Sequence, residues 1–275
     1  MMSLELPGTF RAYFQNGDIF DSIMNLQGEV FREQKNRKTL RIRKEGKGYF
    51  VKIHRGVGLQ ELLKNLLSLK WPVLGAHNEA RAIRFLENIG VDTMKMVGFG
   101  VRGVSPAWLQ SFVITEELVD IISLEDYCRR WKEDPPDFTL KLALIKKVAD
   151  ITRKLHQNGI NHRDYYICHF LLDVKSLNRQ EGYAGLILYL IDLHRVQIRT
   201  RTPERWVIKD LAGLFFSSMD TGLTRRDIFR FMKIYSGKSL KTLLRTEKDF
   251  WIKVHERAVK LYRKHFNCTP HLMVK

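Results

Sequence analysis

One change of hydrophobic period, from about two to about 3.6 residues, restricts the fold of this 275-residue chain more than any other feature. Between Gly28 and Ile53 apolar and polar residues alternate in three runs, Gly28–Glu33, Thr39–Lys44 and Tyr49–Ile53, parted by polar turns at Gln34–Lys38 and Glu45–Gly48. Alternation sends successive side chains to opposite faces, so these runs predict an antiparallel meander. Further strands are predicted at Thr93–Phe99 and Ser111–Thr115. Past them the spacing changes. Leu142, Ile145, Val148, Ala149, Thr152 and Leu155 share one face of a helix over Leu140–Gln157, which Gly159 stops. A loop, Asn161–His169, leads to short strands near Phe170–Asp173 and Leu186–Asp192. Helices follow at Arg205–Met219, from Thr224, and at Lys248–His265. Strands first and helices after predict an α+β chain: a small β-rich lobe, residues 1–116, and a larger, mostly helical lobe, residues 117–275, joined near Glu116–Leu118. The small lobe also carries a leucine-rich segment, Leu59–Leu74, and a helix capped by Asn78 that runs to Asn88 before Gly90.

Charge narrows the partners. Lysine and arginine outnumber aspartate and glutamate 47 to 30, a net charge of +17. From Arg195 to Lys275 there are 19 basic and 7 acidic residues, so most of the surplus lies in the last third. A basic surface favours anionic partners: nucleic acid, acidic headgroups, phosphorylated glycan or acidic protein. No basic motif interleaved with aromatics and no zinc knuckle is present, so nucleic acid is not expected. The three cysteines, Cys128, Cys168 and Cys268, are too far apart for a CxxC motif and fit a reduced compartment. Met1–Phe14 lacks the pattern of a secretory signal, and no apolar run is long enough to span a bilayer.

The chemistry gathers at a few residues. His162-Arg163-Asp164 follows a long helix and the Gly159 turn; Asp192 comes 28 residues later; Lys52 lies on the third strand upstream. Glu79 shares a helix face with Ile83 and Leu86, so a polar residue points inward, and an ion pair with Lys52 would give it a reason to. Taken singly, each has a plain reading: a surface lysine, a glutamate favoured by a helix N-terminus, a polar turn, a strand-end aspartate. Their order, strand lysine, helix glutamate, His-Arg-Asp, strand-end aspartate, is the parts list of kinase-type phosphoryl transfer, which needs phosphates held, charge neutralised and a hydroxyl aimed. In that scheme Lys52 contacts phosphates, Asp164, with His162 and Arg163, forms the catalytic loop, and Asp192 holds Mg²⁺ through hard oxygen. Glu116 and Leu118, in the joint, are counted with the nucleotide-binding residues. His169, five residues past Asp164, stands where protein kinases carry a metal-binding asparagine. Imidazole is a poor Mg²⁺ ligand, so hydrogen bonding to phosphate or to Asp192 is the other reading. Asp210 is expected either to brace the catalytic loop or to serve as N-terminal helix charge. Gly98-x-Gly100-x-x-Gly103 spells a dinucleotide fingerprint but lacks the helix that must follow it, and is read as a hairpin turn. The phosphate-covering turn is then Glu33–Lys38, without glycine but with Lys35, Arg37 and Lys38.

The segments Gly159–Leu172 (GINHRDYYICHFLL), Ile191–Trp206 (IDLHRVQIRTRTPERW) and Lys209–Tyr235 (KDLAGLFFSSMDTGLTRRDIFRFMKIY) together resemble the lipopolysaccharide core heptose(I) kinase family, over roughly residues 5–245. That resemblance implies a eukaryotic-like protein-kinase fold and ATP- and Mg²⁺-dependent phosphorylation of the first inner-core heptose at O4. It implies action at the cytoplasmic face of the inner membrane, with Asp164 as base and Lys52 and Asp192 as the ATP·Mg²⁺ residues. Tyr165 stands where the family pattern has cysteine. The acceptor is an acidic glycolipid, which gives Arg199, Arg201, Arg205, Arg225 and Arg226 a use as clamps on acidic sugars, beside their plain reading as a solvated basic face. Leu59–Leu74 is read either as a lipid- or partner-docking insertion or as core. A basic enzyme with an apolar face also suits an acidic carrier protein. Rival readings are a Kdo kinase or aminoglycoside phosphotransferase of the same fold, and a basic pseudokinase.

Overall fold

A computed structural model describes residues 2–14, 17–34, 36–56, 75–105, 108–178 and 180–270. The chain divides into two compact units. The first comprises Met1–Phe85, Met94–Leu118 and Leu193–Arg195; the second comprises Leu86–Thr93, Val119–Asp192 and Val196–Lys275. Two short segments therefore lie across the single cut expected at residues 116/117: 86–93 belong with the helical unit and 193–195 with the β-rich one.

In the first unit, β1 (Met2–Glu5), α1 (Gly8–Tyr13) and α2 (Ile19–Met24) precede the meander of β2 (Glu29–Gln34), β3 (Arg37–Lys44) and β4 (Lys47–His54). Then come α3 (His77–Asn88), which runs on into the second unit, β5 (Met96–Arg102) and β6 (Gln110–Glu116). The strands form one antiparallel sheet in the order β1-β5-β6-β4-β3-β2. Alternation decides its faces. Leu40, Ile42, Tyr49, Val51, Ile53, Phe112 and Ile114 cluster with Leu6, Phe10, Phe14, Phe20, Ile23 and Met24 from α1, α2 and the connections beside them. Phe50 and Lys52 therefore point to the other face. The glycine series is not a hairpin turn. Gly98 and Gly100 lie inside β5, where added Cβ atoms would come within 2.6 Å of Leu6 and 2.5 Å of Phe112. Only Gly103, at φ 111°, turns the chain. This carries the strand on to Arg102, past the expected end at Phe99. Segment 59–74 and Lys35 lie outside the described residues.

In the second unit, β7 (Ile121–Ser123) leads through α4 (Leu124–Tyr127) to α5 (Phe138–Gln157) and β8 (Ile160–Asn161). After a loop come β9 (Phe170–Asp173), β10 (Leu188–Leu190) and β11 (Gln197–Ile198), then α6 (Glu204–Ser218), α7 (Arg225–Ser236), α8 (Leu240–Thr246) and α9 (Lys248–Phe266). The strands pair as β10-β9-β7 and β11-β8. Asp137 caps α5 through the Leu140 amide, and Gly159, at φ 76°, stops it as expected. Thr224 and Asp227 form a capping box on α7, and Asp227 also pairs with Lys141 of α5 at 2.9 Å. Burial alone would raise the Asp227 pKa, but the Thr224 amide and Lys141 hold it below its usual range. Helices α6 and α9 share an apolar cluster of Leu211, Ala212, Val254 and Ala258.

Candidate active site

The expected site residues fall into two groups, one in each unit. In the first unit Lys52 Nζ lies 2.5 Å from Glu79 Oε1. Lys52 stands on the sheet face opposite the apolar cluster, and the Glu79 side chain is 2% exposed. A carboxylate that deep requires a cation, so the pair explains both the inward-facing glutamate and the strand lysine. Asn78, expected to cap α3, instead donates its side-chain amide to the His194 carbonyl at 2.9 Å, and the helix starts one residue earlier. Phe50, on the Lys52 face, packs edge-on against the exposed Phe31 of β2, with ring centres 5.1 Å apart. Glu116, at the end of β6, pairs with Lys95 at 3.1 Å, and Leu118 ends the first unit's Met94–Leu118 segment. Two residues on from Lys52, His54 is buried, and its pKa is pushed down to about 4 by that burial and by Arg37, Lys52 and His194.

The second unit holds the loop expected to be catalytic. His162 is fully buried, and its Nε2–H donates to the Ile191 carbonyl at 2.9 Å, so the ring ties the loop to the segment entering Asp192. Burial keeps its pKa below the usual value even though Asp210 pulls the other way. His162 is expected to form the catalytic loop with Arg163 and Asp164; its ring has no exposed surface and is placed to hold that loop. Arg163 has φ 78° and Asp192 φ 61°, left-handed backbone that non-glycine residues adopt only where the surroundings enforce it. The enforcing group at Arg163 is Asp210. Its carboxylate, 1% exposed, accepts from the His162 amide at 2.5 Å and the Arg163 amide at 2.9 Å. It lies within α6, not at the N-terminus of that helix, and it braces the loop.

His169 ends a 3₁₀ turn, Ile167–His169. Its Nδ1 donates to the Asp164 carbonyl at 2.7 Å, and its Nε2 faces Asp192 Oδ2 at 3.5 Å. The Asp192 carboxylate is the hard oxygen group that fits a cation arriving on phosphates with its own water, while the imidazole beside it suits a hydrogen bond better than Mg²⁺. Mg²⁺ is ordinarily held by one or two carboxylates. Among the described residues no group of three or more His, Cys, Asp or Glu side chains forms a cage.

Two supports escaped the sequence. Ser217 Oγ accepts from the Ile167 amide at 3.0 Å, and a Cβ on Gly213 would lie 3.0 Å from the Tyr165 carbonyl, so α6 runs hard against the loop. Asp210, Gly213 and Ser217, spaced three and four apart, share a helix face, and that polar stripe was the available signal. Tyr165 points inward, 1% exposed, with its hydroxyl 2.9 Å from Thr152 Oγ1. The residue at the expected cysteine position is therefore a packing residue. Burial, with Glu125, pushes the Cys168 thiol up to about 11, which disfavours the thiolate form.

Comparison with known proteins agrees with this geometry. The model of the lipopolysaccharide kinase (Kdo/WaaP) family matches residues 21–235. The chain is 50% identical over 258 residues to the lipopolysaccharide core heptose(I) kinase WaaP of Escherichia coli, covering 94% of this chain and 96% of that one. It is 46% identical over 263 residues to the enzyme of the same name from Pseudomonas aeruginosa, covering 96% and 97%. A solved structure described as WaaP in complex with acyl carrier protein superposes with a TM-score of 0.80 at 42% identity, covering 94% of this chain and 99% of that one. The fold is α+β of the eukaryotic-like protein-kinase type. With a braced His-Arg-Asp loop, a lysine–glutamate pair and likeness over nearly the whole length, the chain belongs to the lipopolysaccharide kinase (Kdo/WaaP) family.

Proposed function

We propose that this chain phosphorylates the first heptose of the lipopolysaccharide core, at O4, using ATP. The observation that carries the reading is half-identity, over nearly the full length, to curated heptose(I) kinases. In this reading Asp164 orients the acceptor hydroxyl and takes its proton as the oxygen bonds to the γ-phosphorus. The bond from that phosphorus to the bridging oxygen breaks with its electron pair on ADP. Lys52, set by Glu79, holds phosphates. Asp192, with His169 beside it, would hold Mg²⁺, which supplies charge neutralisation on the phosphates. His162, Arg163 and Asp210 position the loop. Glu116 and Leu118 border the nucleotide, residues 1–116 cover it, and residues 117–275 carry the acceptor.

The partner reading rests on the solved relative with acyl carrier protein. The second unit holds an apolar cavity of about 400 Å³, lined by residues such as Leu144, Val148, Leu211, Met232 and Trp251, with Arg225 and Lys248 also at its wall. An acidic carrier bearing an acyl group matches that combination of apolar lining and basic surface. No described helix is long and apolar enough to cross a membrane; the reading places the chain at the cytoplasmic face of the inner membrane as a peripheral protein. The test is to incubate purified protein with Mg·ATP and, separately, heptose-dephosphorylated core glycolipid, Kdo-lipid A and aminoglycosides. Phosphate transfer to the first alone is expected. Transfer to either of the others in its place overturns the acceptor assignment.

A further inference from the structure

Four cations converge on one indole beside the catalytic loop. Lys209 Nζ lies 5.2 Å from the centre of the Trp206 ring, and the guanidinium carbons of Arg163, Arg205 and Arg199 lie 5.4, 5.5 and 5.9 Å from it. They come from three stretches of chain: Arg163 from the catalytic loop, Arg199 from just after β11, and Arg205 and Lys209 from the first turns of α6. An aromatic ring attracts cations, so the indole gathers into one place positive charge that the sequence scatters. Arg199 is held from behind by neutral groups: its two terminal nitrogens donate to Asn161 Oδ1 at 2.5 Å and Gln197 Oε1 at 2.6 Å. Amide oxygens fix a guanidinium in place without removing its charge.

Arg205, exposed beside the ring, can turn its N–H fork toward a carboxylate or a phosphate, while Arg199, its terminal nitrogens engaged, adds fixed positive charge. The position matters as much as the charge. Arg163 directly precedes Asp164 in the chain, so their Cα atoms are about 3.8 Å apart. The cluster therefore shares the loop that carries Asp164, the residue assigned to the acceptor hydroxyl. The nearest acidic side chain in sequence to Arg205, that of Glu204, pairs with Lys253 at 3.6 Å.

We propose that Arg163, Arg199, Arg205 and Lys209, gathered around Trp206, form a subsite for carboxylate or phosphate groups on the acceptor glycan, next to the sugar that is phosphorylated. The acceptor class rests on the kinase reading above; the anion chemistry rests on the cluster. The subsite orients the acceptor by its acid groups so that a single hydroxyl reaches Asp164. Positional selectivity is then set partly by Trp206, which the phosphoryl-transfer scheme itself does not use.

The experiment separates the two readings. Deacylated core oligosaccharide is titrated calorimetrically, without ATP, into wild type and into Arg205→Gln/Lys209→Gln. Both side chains lie on the first turns of α6, Arg205 exposed and Lys209 partly so, and a thermal melt checks the fold. The double variant is expected to bind about tenfold or more weakly, the loss of one charge-assisted pair, while its KM for ATP stays within about twofold of wild type, as expected for groups that touch only the acceptor. The titration is repeated with oligosaccharide whose carboxylates have been reduced, and with dephosphorylated oligosaccharide. The gap between variant and wild type closes with whichever acid the cluster reads. A gap that persists with both, equal binding of the intact sugar by the two proteins, or no binding by wild type overturns the subsite. Tight binding by wild type without phosphate transfer overturns the kinase reading and leaves the subsite standing. As a second variant, Trp206→Leu keeps every charge and removes their bed. It is expected to weaken oligosaccharide binding, with Trp206→Phe restoring most of it; wild-type affinity in Trp206→Leu overturns the part assigned to the ring.

Discussion

Asp164 and Lys52 differ in what their loss would do. In the proposed reaction Asp164→Ala removes the group that bears on the acceptor hydroxyl, and it leaves the Asp210 brace intact. The expected outcome is a fall in turnover of about 10²–10⁴-fold with an unchanged melting curve, and near-normal turnover would refute the role. Lys52→Ala acts twice. It removes the proposed phosphate contact, and it leaves the Glu79 carboxylate, 2% exposed, without its cation. A stability loss of up to about 3 kcal/mol should accompany the activity loss, and Lys52→Ala/Glu79→Gln should regain stability without regaining activity. Denaturant titration beside an ATPase or transfer assay reads both. Asp192→Ala should instead shift the Mg²⁺ dependence, so an unaltered metal titration rules the carboxylate out as ligand.

At the scale of elements, α6 is the part on which the catalytic loop leans. Its Asp210 and Ser217 take three loop amides between them, and Gly213 lets the helix approach. The joint after α5 is equally constrained. Gly159 combines φ 76° with a position where a Cβ would lie 1.7 Å from the Arg199 carbonyl oxygen. Gly159→Ala is therefore expected to cost at least about 2–3 kcal/mol, since strain and backbone clash add, and to displace β11 from β8. A urea midpoint within error of wild type would contradict it. At α7, Thr224→Ala removes half the capping box and should cost about 0.5–2 kcal/mol, measurable by the same titration.

Two properties belong to the whole molecule. The first is its response to pH. His54, with its pKa held at about 4, and His162, also held low, are neutral when folded, whereas an unfolded histidine titrates near about 6.5. Below that value the unfolded chain binds more protons than the folded one, so this contribution is fully present above about pH 6.5 and is lost as pH falls toward 4. Unfolding free energies at pH 7.5, 6 and 5 should fall with acidification, by up to about 1.4 kcal/mol per unit for each histidine. His54→Gln should make the slope shallower, and a flat profile would contradict both assignments. The second property is charge. From Arg195 onward 19 basic residues stand against 7 acidic ones, so the acceptor KM should rise with salt much more than the ATP KM. Equal effects on both substrates would mean that the basic surface serves another partner.

What the sequence alone determined was local and ordered. Strand alternation, the 3.6 period of α5, the Gly159 stop, the Thr224 start and the succession Lys52, Glu79, His162-Arg163-Asp164, Asp192 can all be read within windows of about a dozen residues, because periodicity and capping are short-range effects. Tertiary structure alone decided which distant groups meet. It closed Lys52 on Glu79 across 27 residues and set Asp210 against amides 47 and 48 residues away. It also turned Tyr165 into the core and buried Gly98 and Gly100 in a strand that their spelling had suggested was a turn. The cations around Trp206 could not be foreseen from charge alone. The count of arginines shows that a basic surface exists, but only the approach of β11 and α6 to the catalytic loop decides which of them share a ring.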